Sequence, residues 1–502
     1  MTEELTVVDA LELTARADPD RVVAKIDGHE LEAGRWQEAS VGLLGCLSGR
    51  GLEAGDRVAT FLSNRPETLY LWLALARGGM VEVPINTAMK GDLLADQVRR
   101  ARARLLVAEA DLLPALEGSG LPVVPVEELL EESGPCRAGG DRNRPAPDDV
   151  SLILYTSGTT GASKGVVLTH RANTRLAWSV VHHVGLEADD VLYTPFPLFH
   201  IAARFVSVMP ALLVGGRVVV DRHFSASGFF RTCRSEGVTA IHYLGTLPMM
   251  LFGQPPSPSD RDHRVRLAYG AGMPTEIWTA FMRRFGIERV YELYGSTEQG
   301  IVSITGGGED EVGTCGRPVP DLTVEIHDPE DNPLPPGEPG EIVVRPERPG
   351  ILFQGYDGMP EATLEAFRNL WFHTGDRGRI DQQGRLTFLG RVKDSIRRRG
   401  ENISCFEVEQ VLEAHPLVAE AAVVGVPSEL GEEEVLAVVV AKGPLAFDEL
   451  IAFCRERLPA FAVPRYLRLA DSLPKNAAAR VRKPELAYID ATTFDRDKGG
   501  LA

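Results

Sequence analysis

The chain has 502 residues, enough for about three domain-sized cores at roughly 100 to 200 residues each. Its net charge of −18 argues against nucleic acid or an anionic membrane as a general partner, because like charges repel. Any anion that this protein binds therefore needs a local basic site.

Cysteine usage and apolar windows give an expectation about the compartment. The six cysteines are scattered, with neither a Cys-x-x-Cys pair nor a histidine spacing typical of zinc. The acidic, amphipathic start lacks the basic region and apolar run of a signal peptide. The apolar windows at 69–85 and 205–220 are interrupted by arginine and glycine, so neither predicts a membrane span. We expect a cytoplasmic protein with reduced thiols.

In chain order, residues 1–300 mostly alternate β-rich runs with helical patterns. DRVATFLSN (56–64) precedes the helical RPETLYLWLALARGG (65–79), and MVEVPIN (80–86), a helical stretch and ARLLVAEA (103–110) follow. The rhythm recurs in GGRVVVDRHF (215–224), SGFFRTCRSEGV (227–238) and TAIHYLG (239–245). This alternation predicts βαβ units around a parallel sheet.

The pattern of predicted secondary structure changes in the last third of the chain. Between about 313 and 389, short strands separated by proline and glycine predict an antiparallel sheet or barrel. A helix is then predicted at 406–413, strands around 423–426 and 434–440, and a helix at 447–457. This block predicts a separate small α+β domain joined near 390–394.

The segment SLILYTSGTTGASKGVVLTH (151–170) carries the strongest local signal. Its glycines and small hydroxyl residues would let backbone N–H groups approach phosphate oxygens, and Lys164 adds a positive charge. A plain surface loop is the alternative. The spacing does not fit a Walker A loop, because no Gly-Lys-Ser/Thr follows the first glycine at the required distance.

Four motifs in order resemble the adenylate-forming superfamily of acyl-CoA synthetases, amino-acid adenylation domains and luciferases. They are YTSGTTGASKG (155–165), YGSTE (294–298), FHTGD (372–376) and GRVKDSIRRRGENIS (390–404). One departure is Ser163, where the family usually has proline before the loop lysine. The organisation of the whole chain agrees with this resemblance.

The resemblance implies a fold and a two-step reaction. A carboxylate attacks the α-phosphate of ATP to give an acyl-adenylate, and the thiol of CoA then displaces AMP, with Mg²⁺ assisting the nucleotide. The implied α/β fold has a large N-terminal domain at 1–390, with parallel α/β layers and an antiparallel β-barrel. A hinge at 391–394 and a small mobile α+β domain at 395–502, which rotates between the half-reactions, complete it.

The resemblance also assigns roles to residues at matching positions. Those that would bind the nucleotide are Thr156, Ser157, Gly158, Thr159, Thr160, Gly272, Tyr294, Thr297, Asp376 and Arg391. Those with catalytic roles would be Lys164, His200, Glu298, Glu401 and Arg480, with Mg²⁺ on Glu298. Those of the hinge and the CoA site would be Lys393, Arg398, Arg399 and Gly400.

The acyl pocket would be formed by His200, Gly245, Gly270, Ala271 and Gly300. Small residues at its walls suggest a bulky, mainly apolar acid. In acyl-CoA synthetases the residue at the His200 position can meet a small-domain glutamate during thiol transfer, and Glu401 stands at that position.

Each assigned residue has a structural alternative. Asp376 could cap a turn, Glu298 could begin a helix, Tyr294 could be core, and His200 could be a satisfied core histidine. The basic run at 391–399 could be a solvated face rather than a site for the phosphates of CoA.

The segment LPKNAAARVRKPEL (473–486) departs from the family at one catalytic position. Synthetases carry a lysine there, in a pattern like Pro-Lys-Thr-x-Thr-Gly-Lys-Ile, which bridges the substrate carboxylate and the α-phosphate. Here Ala479 and Arg480 occupy the glycine and lysine positions. Arginine keeps the charge but is a planar fork, and displacing one aimed charge by about an ångström costs roughly a hundredfold in rate.

The sequence therefore favours an acyl-CoA ligase that mainly converts acyl-AMP and CoA to acyl-CoA and AMP. A separate adenylating enzyme could supply the acyl-AMP. In the alternative, a complete two-step synthetase, Arg480 does the work of the lysine, or Lys475 or Lys483 replaces it.

Other classes fit less well. An amino-acid adenylation domain would place an aspartate near His200, where the chain has Phe199, His200 and Ile201. A luciferase-like monooxygenase is excluded only weakly. A non-catalytic nucleotide-binding or scaffolding protein is disfavoured by the intact Lys164 and Glu298.

Overall fold

The computed structural model describes residues 5–133, 144–156, 164–245, 247–392, 395–398, 401–427, 433–458, 460–476 and 480–501. Its α-helices are α1 Val7–Ala17, α2 Ala33–Gly49, α3 Pro66–Arg77, α4 Gly91–Ala101, α5 Val126–Glu132, α6 His170–Val184, α7 Ile201–Ala203, α8 Met209–Val214, α9 Phe229–Glu236, α10 Leu247–Phe252, α11 Thr275–Phe285, α12 Pro360–Ala366, α13 Cys405–Glu413 and α14 Phe447–Arg455. A π-helical segment, Arg204–Val208, joins α7 to α8. The short 3₁₀ helices are Ala110–Leu116, Pro258–Arg261, Glu309–Glu311, Arg368–Leu370 and Lys483–Glu485.

The strands are β1 Val22–Ile26, β2 His29–Glu32, β3 Arg57–Phe61, β4 Val81–Pro84, β5 Leu105–Ala108, β6 Val123–Pro125, β7 Val150–Thr156, β8 Lys164–Thr169, β9 Val191–Thr194, β10 Arg217–Val220, β11 Ala240–Leu244, β12 Leu267–Ala271, β13 Arg289–Ser296, β14 Gly300–Ile304, β15 Arg317–Pro318, β16 Leu322–His327, β17 Gly340–Pro346, β18 Gly355–Tyr356, β19 Phe372–Ile380, β20 Leu386–Arg391, β21 Ser395–Arg398, β22 Glu401–Ser404, β23 Val418–Pro427, β24 Glu433–Ala441, β25 Tyr466–Leu469, β26 Phe494–Asp495 and β27 Gly500–Leu501. They form sheets in two compact units. The first unit comprises residues 1–323 and 346–365, and the second comprises 324–345 and 366–502.

The first unit contains two sheets, and the central strands of each sheet run parallel to one another. One has the order β18-β8-β7-β4-β3-β5-β6, and the other has the order β15-β14-β13-β12-β11-β9-β10-β1-β2. Strands β4 and β5 are buried along their whole length, as expected for strands covered on both faces. The predicted βαβ alternation is confirmed, and antiparallel pairs such as β7–β8 and β13–β14 lie toward the sheet edges.

The second sheet of this unit positions the candidate site. Parallel strands β9, β11, β12 and β13 are neighbours in it, so their carboxyl ends meet at one edge. The segments that follow these strands include His200, Gly245 and Gly272, and β13 ends at Ser296. Ligands bind at this edge in open α/β sheets, so the topology gathers predicted residues from distant parts of the chain.

The second unit contains a four-stranded sheet with the order β16-β17-β19-β20, in which β17–β19 and β19–β20 are antiparallel. The antiparallel sheet predicted for this region is therefore confirmed. Strand β16 crosses the unit boundary, and α12 does so as well. This sheet lies mostly in the same unit as the C-terminal residues, and the predicted boundary at 390 stays a prediction.

The C-terminal residues build a five-stranded sheet, β23-β24-β25-β26-β27, with a core on each face. Residues of α13 and α14 pack with Val423 and Val435 on one face. Val424 and Leu436 face the other side, as the two-residue period of a strand requires, and pack with Leu473 and Leu486. The segment that carries Arg480 is thereby anchored at both ends against this sheet. None of the helices in the described ranges is long and apolar enough to cross a bilayer.

Candidate active site

A β-hairpin brings together the two ends of the predicted phosphate loop. Thr156 ends β7 and is the register partner of Lys164, which begins β8. The Thr156 hydroxyl donates to the carbonyl oxygen of Lys164 at 3.4 Å. The loop residues assigned to phosphate lie outside the described residues; they are Ser157, Gly158, Thr159 and Thr160.

Tyr356 joins Lys164 to Glu298, which were predicted from separate motifs. The Lys164 ammonium nitrogen lies 4.5 Å from the centre of the Tyr356 ring. The hydroxyl of this tyrosine donates to Glu298 Oε1 at 3.2 Å, and the Ser296 hydroxyl donates to Glu298 Oε2 at 2.9 Å. Tyr356 was missed in the sequence because only its preceding glycine marks it locally.

Glu298 lies with Thr297 in the turn between β13 and β14. Each carboxylate oxygen accepts one hydrogen bond from a side chain, which leaves lone pairs for a cation. Mg²⁺ is commonly held by one or two carboxylates together with substrate phosphates, so this residue fits the predicted role. The described part of the chain contains no group of three or more acidic, His or Cys residues that could hold a metal by itself.

The glycines predicted for the acyl and adenine sites differ in what they face. A Cβ on Gly270 would lie 1.8 Å from the carbonyl oxygen of Tyr243, so the neighbouring strand excludes a side chain there. Gly272 has φ +94° and its missing Cβ faces the backbone of Gly245. A Cβ on Gly300 would lie 3.2 Å from the Arg175 guanidinium. A Cβ on Gly245, in contrast, would have no atom within 4 Å and would face open space. Of these four glycines, only Gly245 therefore supports the expected room for a bulky acid.

Glu292 holds the turn that follows β12. Its carboxylate accepts hydrogen bonds from the Tyr243 hydroxyl at 2.7 Å and from the backbone N–H groups of Gly272 at 2.5 Å and Met273 at 3.1 Å. Burial raises the pKa of Glu292 to about 7, against the opposing effect of these hydrogen bonds. The predicted residue Tyr294, two positions along β13, is itself buried. Glu292 was missed because its partners are distant in sequence.

His200 is exposed at the start of α7, at the end of a loop held by Asn64. The Asn64 amide donates to the carbonyl oxygens of Phe196 and Asp221, and its oxygen accepts from the N–H of Leu198. Exposure disfavours the alternative of a buried core histidine. The predicted meeting of His200 with Glu401 stays a prediction.

Asp376 and Arg391, both assigned to the ribose, are register partners in β19 and β20. Arg391 Nε lies 3.1 Å from Asp376 Oδ1, and Asp376 is only 6% exposed. The turn before Asp376 is fixed by Glu341, which accepts from the Gly375 N–H at 3.1 Å and contacts His373 Nδ1 at 3.0 Å. The structure thus brings the two predicted residues together within one antiparallel pair.

The basic hinge segment is only partly described. Lys393, Arg399 and Gly400 lie outside the described residues, and of Glu401 only the backbone, in β22, is described. Arg398 is buried and forms an ion pair with the buried Glu434 at 2.6 Å, and it donates to the Phe461 carbonyl oxygen. Its assignment to CoA stays a prediction, one that requires this ion pair to open.

Arg480 lies beside a β-bridge between Lys475 and Val481. The side-chain oxygen of Asn476 accepts from the Arg480 N–H at 3.0 Å, and the Asn476 N–H donates to the Arg480 carbonyl at 2.8 Å. The Arg480 residue is exposed, whereas Ala479 lies outside the described residues. The backbone of Arg480 is therefore fixed on both sides by one asparagine.

The cations near Arg480 in the sequence form ion pairs inside the second unit. Lys475 lies 2.5 Å from Glu420, Lys483 lies 2.8 Å from Glu409, and Arg482 lies 2.6 Å from Glu485. Both lysines that could replace the family's catalytic lysine are thus engaged with local carboxylates.

Comparisons with known proteins show the family to which the chain is related. The AMP-binding enzyme family matches residues 11–356, and the AMP-binding enzyme C-terminal domain matches residues 407–480, a range that includes Arg480. Crotonobetaine/carnitine–CoA ligase of Salmonella paratyphi A is 32% identical over 461 residues, which cover 87% of this chain and 89% of the relative.

Solved structures of o-succinylbenzoate CoA synthetase from Bacillus subtilis share the fold. Its complex with the acyl-adenylate intermediate has a TM-score of 0.88 at 26% identity, covering 97% of this chain and 99% of the other. Its complex with ATP and magnesium ion has a TM-score of 0.85 at 27% identity, covering 95% and 98%. The predicted α/β fold with a small C-terminal domain is thereby confirmed. The chain belongs to the AMP-binding enzyme family, in its acyl-CoA ligase branch of acid–thiol ligases that form CoA thioesters by way of an acyl-adenylate.

Proposed function

We propose that this protein is an acyl-CoA ligase with an efficient thioester-forming half-reaction and a weak adenylating half-reaction. It would mainly convert acyl-AMP and CoA to acyl-CoA and AMP. The proposal is supported by Arg480, which the resemblance places at the position of the family's catalytic lysine, and by the ion pairs that engage the two nearby lysines, Lys475 and Lys483.

The ion pairs of those lysines weigh against substitution by a neighbour. The Lys483–Glu409 pair is mostly shielded, with side chains 21% and 15% exposed, so withdrawing Lys483 would remove the positive charge beside a partly buried carboxylate. The Lys475–Glu420 pair is more exposed and holds its lysine more weakly. Arg480 is therefore the best candidate for the adenylating cation, and its planar guanidinium cannot reproduce the point charge of an ammonium.

Nucleotide binding is expected to survive this change. Lys164 and Glu298 keep the residue types that contact phosphates and magnesium in the family, and Asp376 and Arg391 are paired at the proposed ribose contact. Bound Mg²⁺ would neutralise phosphate charge beside Glu298. Lys164 would supply a positive charge to the phosphates, and Asp376 would accept from the ribose hydroxyls.

The acid is proposed to be bulky and mainly apolar, on the basis of the open space at Gly245. The named relatives act on acids as different as crotonobetaine and o-succinylbenzoate. Family membership alone therefore leaves the acid open, and the experiment uses a panel of acids.

Two assays test the proposal. In the first, benzoate, cinnamate, octanoate, crotonobetaine and o-succinylbenzoate are each supplied with ATP and Mg²⁺, and pyrophosphate release is measured. In the second, the presynthesised adenylates of the same acids are supplied with CoA, and AMP and thioester are measured. We expect little pyrophosphate in the first assay and turnover of at least one adenylate in the second.

The variant Arg480→Lys should raise pyrophosphate release by on the order of a hundredfold, the scale for one aimed donor at a developing charge. It should change thioester formation from adenylate much less. Arg482→Lys is the matched control, because it makes the same change two residues away in an arginine paired with Glu485, and it should alter neither rate. Brisk pyrophosphate release by the unmodified protein would favour the alternative, a complete two-step synthetase. Failure of every adenylate to react with CoA would contradict the thioester half.

A further inference from the structure

We propose that Tyr356 is a positioning residue for nucleotide phosphate binding, which holds Lys164 with its ring face and Glu298 with its hydroxyl. The inference rests on the proposed assignment of Lys164 to phosphate and Glu298 to magnesium. Tyr356 belongs to none of the four motifs that carry the family resemblance.

The backbone of Tyr356 is fixed against the strand that carries the lysine. Strand β18 is antiparallel to β8, with Tyr356 opposite Val166. On either side of Tyr356, the N–H of Gln354 donates to Val167 and the N–H of Asp357 donates to Gly165, at 2.9 and 2.7 Å. The position of the tyrosine relative to Lys164 is thus set by the sheet.

Asp357, the residue that follows β18, also restrains the position of this strand. Its carboxylate accepts two hydrogen bonds from Arg57, at 2.9 and 2.8 Å, and two at 2.7 Å from Arg102. The Asp357 side chain is only 8% exposed, so its carboxylate is shielded from water, whereas the Arg102 side chain is 57% exposed. Arg57 uses two guanidinium nitrogens on the two carboxylate oxygens, and this bidentate geometry limits movement of the adjacent tyrosine.

The two ends of the tyrosine side chain meet groups of opposite charge. The ammonium of Lys164 lies 4.5 Å from the ring centre, within the range in which an aromatic face attracts a cation. The hydroxyl donates to Glu298 Oε1, and Ser296 donates to the other carboxylate oxygen. With one donor on each oxygen, rotation of the carboxylate is restrained.

This arrangement holds a cation and an anion near each other without pairing them. Among the described residues, the structure contains no ion pair between Lys164 and Glu298, although both contact Tyr356. A direct ion pair would compete with phosphate for the lysine and with Mg²⁺ for the carboxylate. The neutral tyrosine instead orients both groups and leaves their charges for the nucleotide.

Two variants separate the two contacts of Tyr356. Tyr356→Phe keeps the ring beside Lys164 and removes the hydrogen bond to Glu298, so it should raise the half-saturating Mg²⁺ concentration for ATP binding about tenfold. It should leave ATP binding without Mg²⁺ unchanged. Tyr356→Leu removes both contacts and should also weaken Mg²⁺-free ATP binding about fivefold. Isothermal titration calorimetry with ATP, with no acid present, measures both quantities.

AMP binding is the internal control, because AMP lacks the two phosphates that Lys164 and Mg²⁺ would contact. Both variants should bind AMP as the unmodified protein does. Tyr70→Phe is the matched tyrosine control, since Tyr70 lies in α3 and packs against the core around Leu43 and Leu71, and it should change neither Mg²⁺ nor ATP binding.

The outcomes distinguish this inference from the proposed function. Normal AMP binding with an unchanged Mg²⁺ requirement in Tyr356→Phe would overturn the positioning role alone. Loss of AMP binding together with ATP binding in both variants would show that Tyr356 only maintains the fold. Absence of AMP binding in the unmodified protein would overturn the nucleotide-site assignment, and with it this inference.

Discussion

At the scale of single residues, Glu292 links the chemistry of a buried carboxylate to the shape of the candidate site. It is 8% exposed, and three donors from two neighbouring segments converge on it. Two of these donors are the backbone N–H groups of Gly272 and Met273, so the carboxylate fixes the turn after β12. Protonation of one side chain is therefore coupled to the stability of the strand edge where the site is expected.

The pH dependence of stability should reveal this residue. The folded-state pKa of Glu292 lies above the ordinary value of 4.5, at about 7, because of burial. An acid shifted in this direction contributes stability that is fully present below about pH 4.5 and is lost as the pH rises through about 7. Across that window the unmodified protein should lose on the order of 3 kcal/mol of unfolding free energy that Glu292→Gln does not lose.

Urea denaturation at a series of pH values, followed by tryptophan fluorescence, measures this difference. Glu117→Gln removes an exposed glutamate of the same unit and should leave the pH profile unchanged. Parallel profiles for the unmodified protein and Glu292→Gln would show that the carboxyl does not titrate in this window.

Two other residues show what local sequence can and cannot predict. The FHTGD motif assigned Asp376 to the ribose, which stays a prediction, and the pairing of Asp376 with Arg391 follows from adjacent strands. Arg398 was grouped with the cations for CoA because it belongs to a basic run, yet Glu434 holds it in the interior. The position of Glu434 depends on tertiary packing, so a local pattern carries no information about it.

At the scale of elements, strands β11 and β12 approach each other so closely that the candidate pocket is shaped by backbone. A Cβ on Gly270 would collide with the carbonyl of Tyr243, whereas Gly245, just after β11, has nothing within 4 Å of its missing Cβ. The sequence predicted both as pocket walls because both are glycines at strand ends. It could not tell which was required by strand spacing, since that depends on the register of Tyr243 with Gly270.

The two glycines should therefore respond differently to alanine. Gly270→Ala forces apart two hydrogen-bonded strands and should lower the free energy of unfolding by about 3 kcal/mol, at the upper end for overpacking. Gly245→Ala incurs only the cost of a left-handed backbone at φ +55°, about 1 kcal/mol, and narrows the proposed acyl pocket.

Chemical denaturation compares the stabilities, and thioester formation from the adenylate panel reports the pocket. Gly245→Ala should reduce turnover of the largest accepted acyl group more than that of the smallest. Equal losses of stability in the two variants would mean that the strand spacing is not the reason for Gly270.

At the scale of the whole molecule, the order of the motifs and the alternation of strands and helices were sufficient to predict the fold class. Amphipathic and buried periodicities are local, so the predicted helices at 406–413 and 447–457 correspond to α13 and α14. The two-residue strand β18 has no periodicity to read, and its pairing with β8 bridges distant parts of the chain. Tyr356 could therefore be found only once the sheet was known.

Ligand binding should be measurable as a change in the stability of the whole protein. A ligand that binds only the folded state raises the free energy of unfolding, by about 2.7 kcal/mol at a hundred times its Kd. Millimolar AMP should therefore raise the Tm. Asp376→Ala should remove most of this rise, because the resemblance assigns the ribose hydroxyls to Asp376, and the loss also leaves Arg391 without the carboxylate 3.1 Å away.

The control for this prediction must disturb the same strand without touching the ribose contact. Asp381 follows β19 and its carboxylate accepts from the backbone N–H groups of Gln383 and Arg385 in the turn to β20. Asp381→Ala should lower the Tm of the free protein but preserve the rise caused by AMP, because only the turn is weakened. Comparing the AMP-induced rise rather than the Tm itself separates a lost ligand contact from a weakened fold. An equal rise in Asp376→Ala and in the unmodified protein would mean that the ribose is held elsewhere, and no rise in either would count against nucleotide binding at this site.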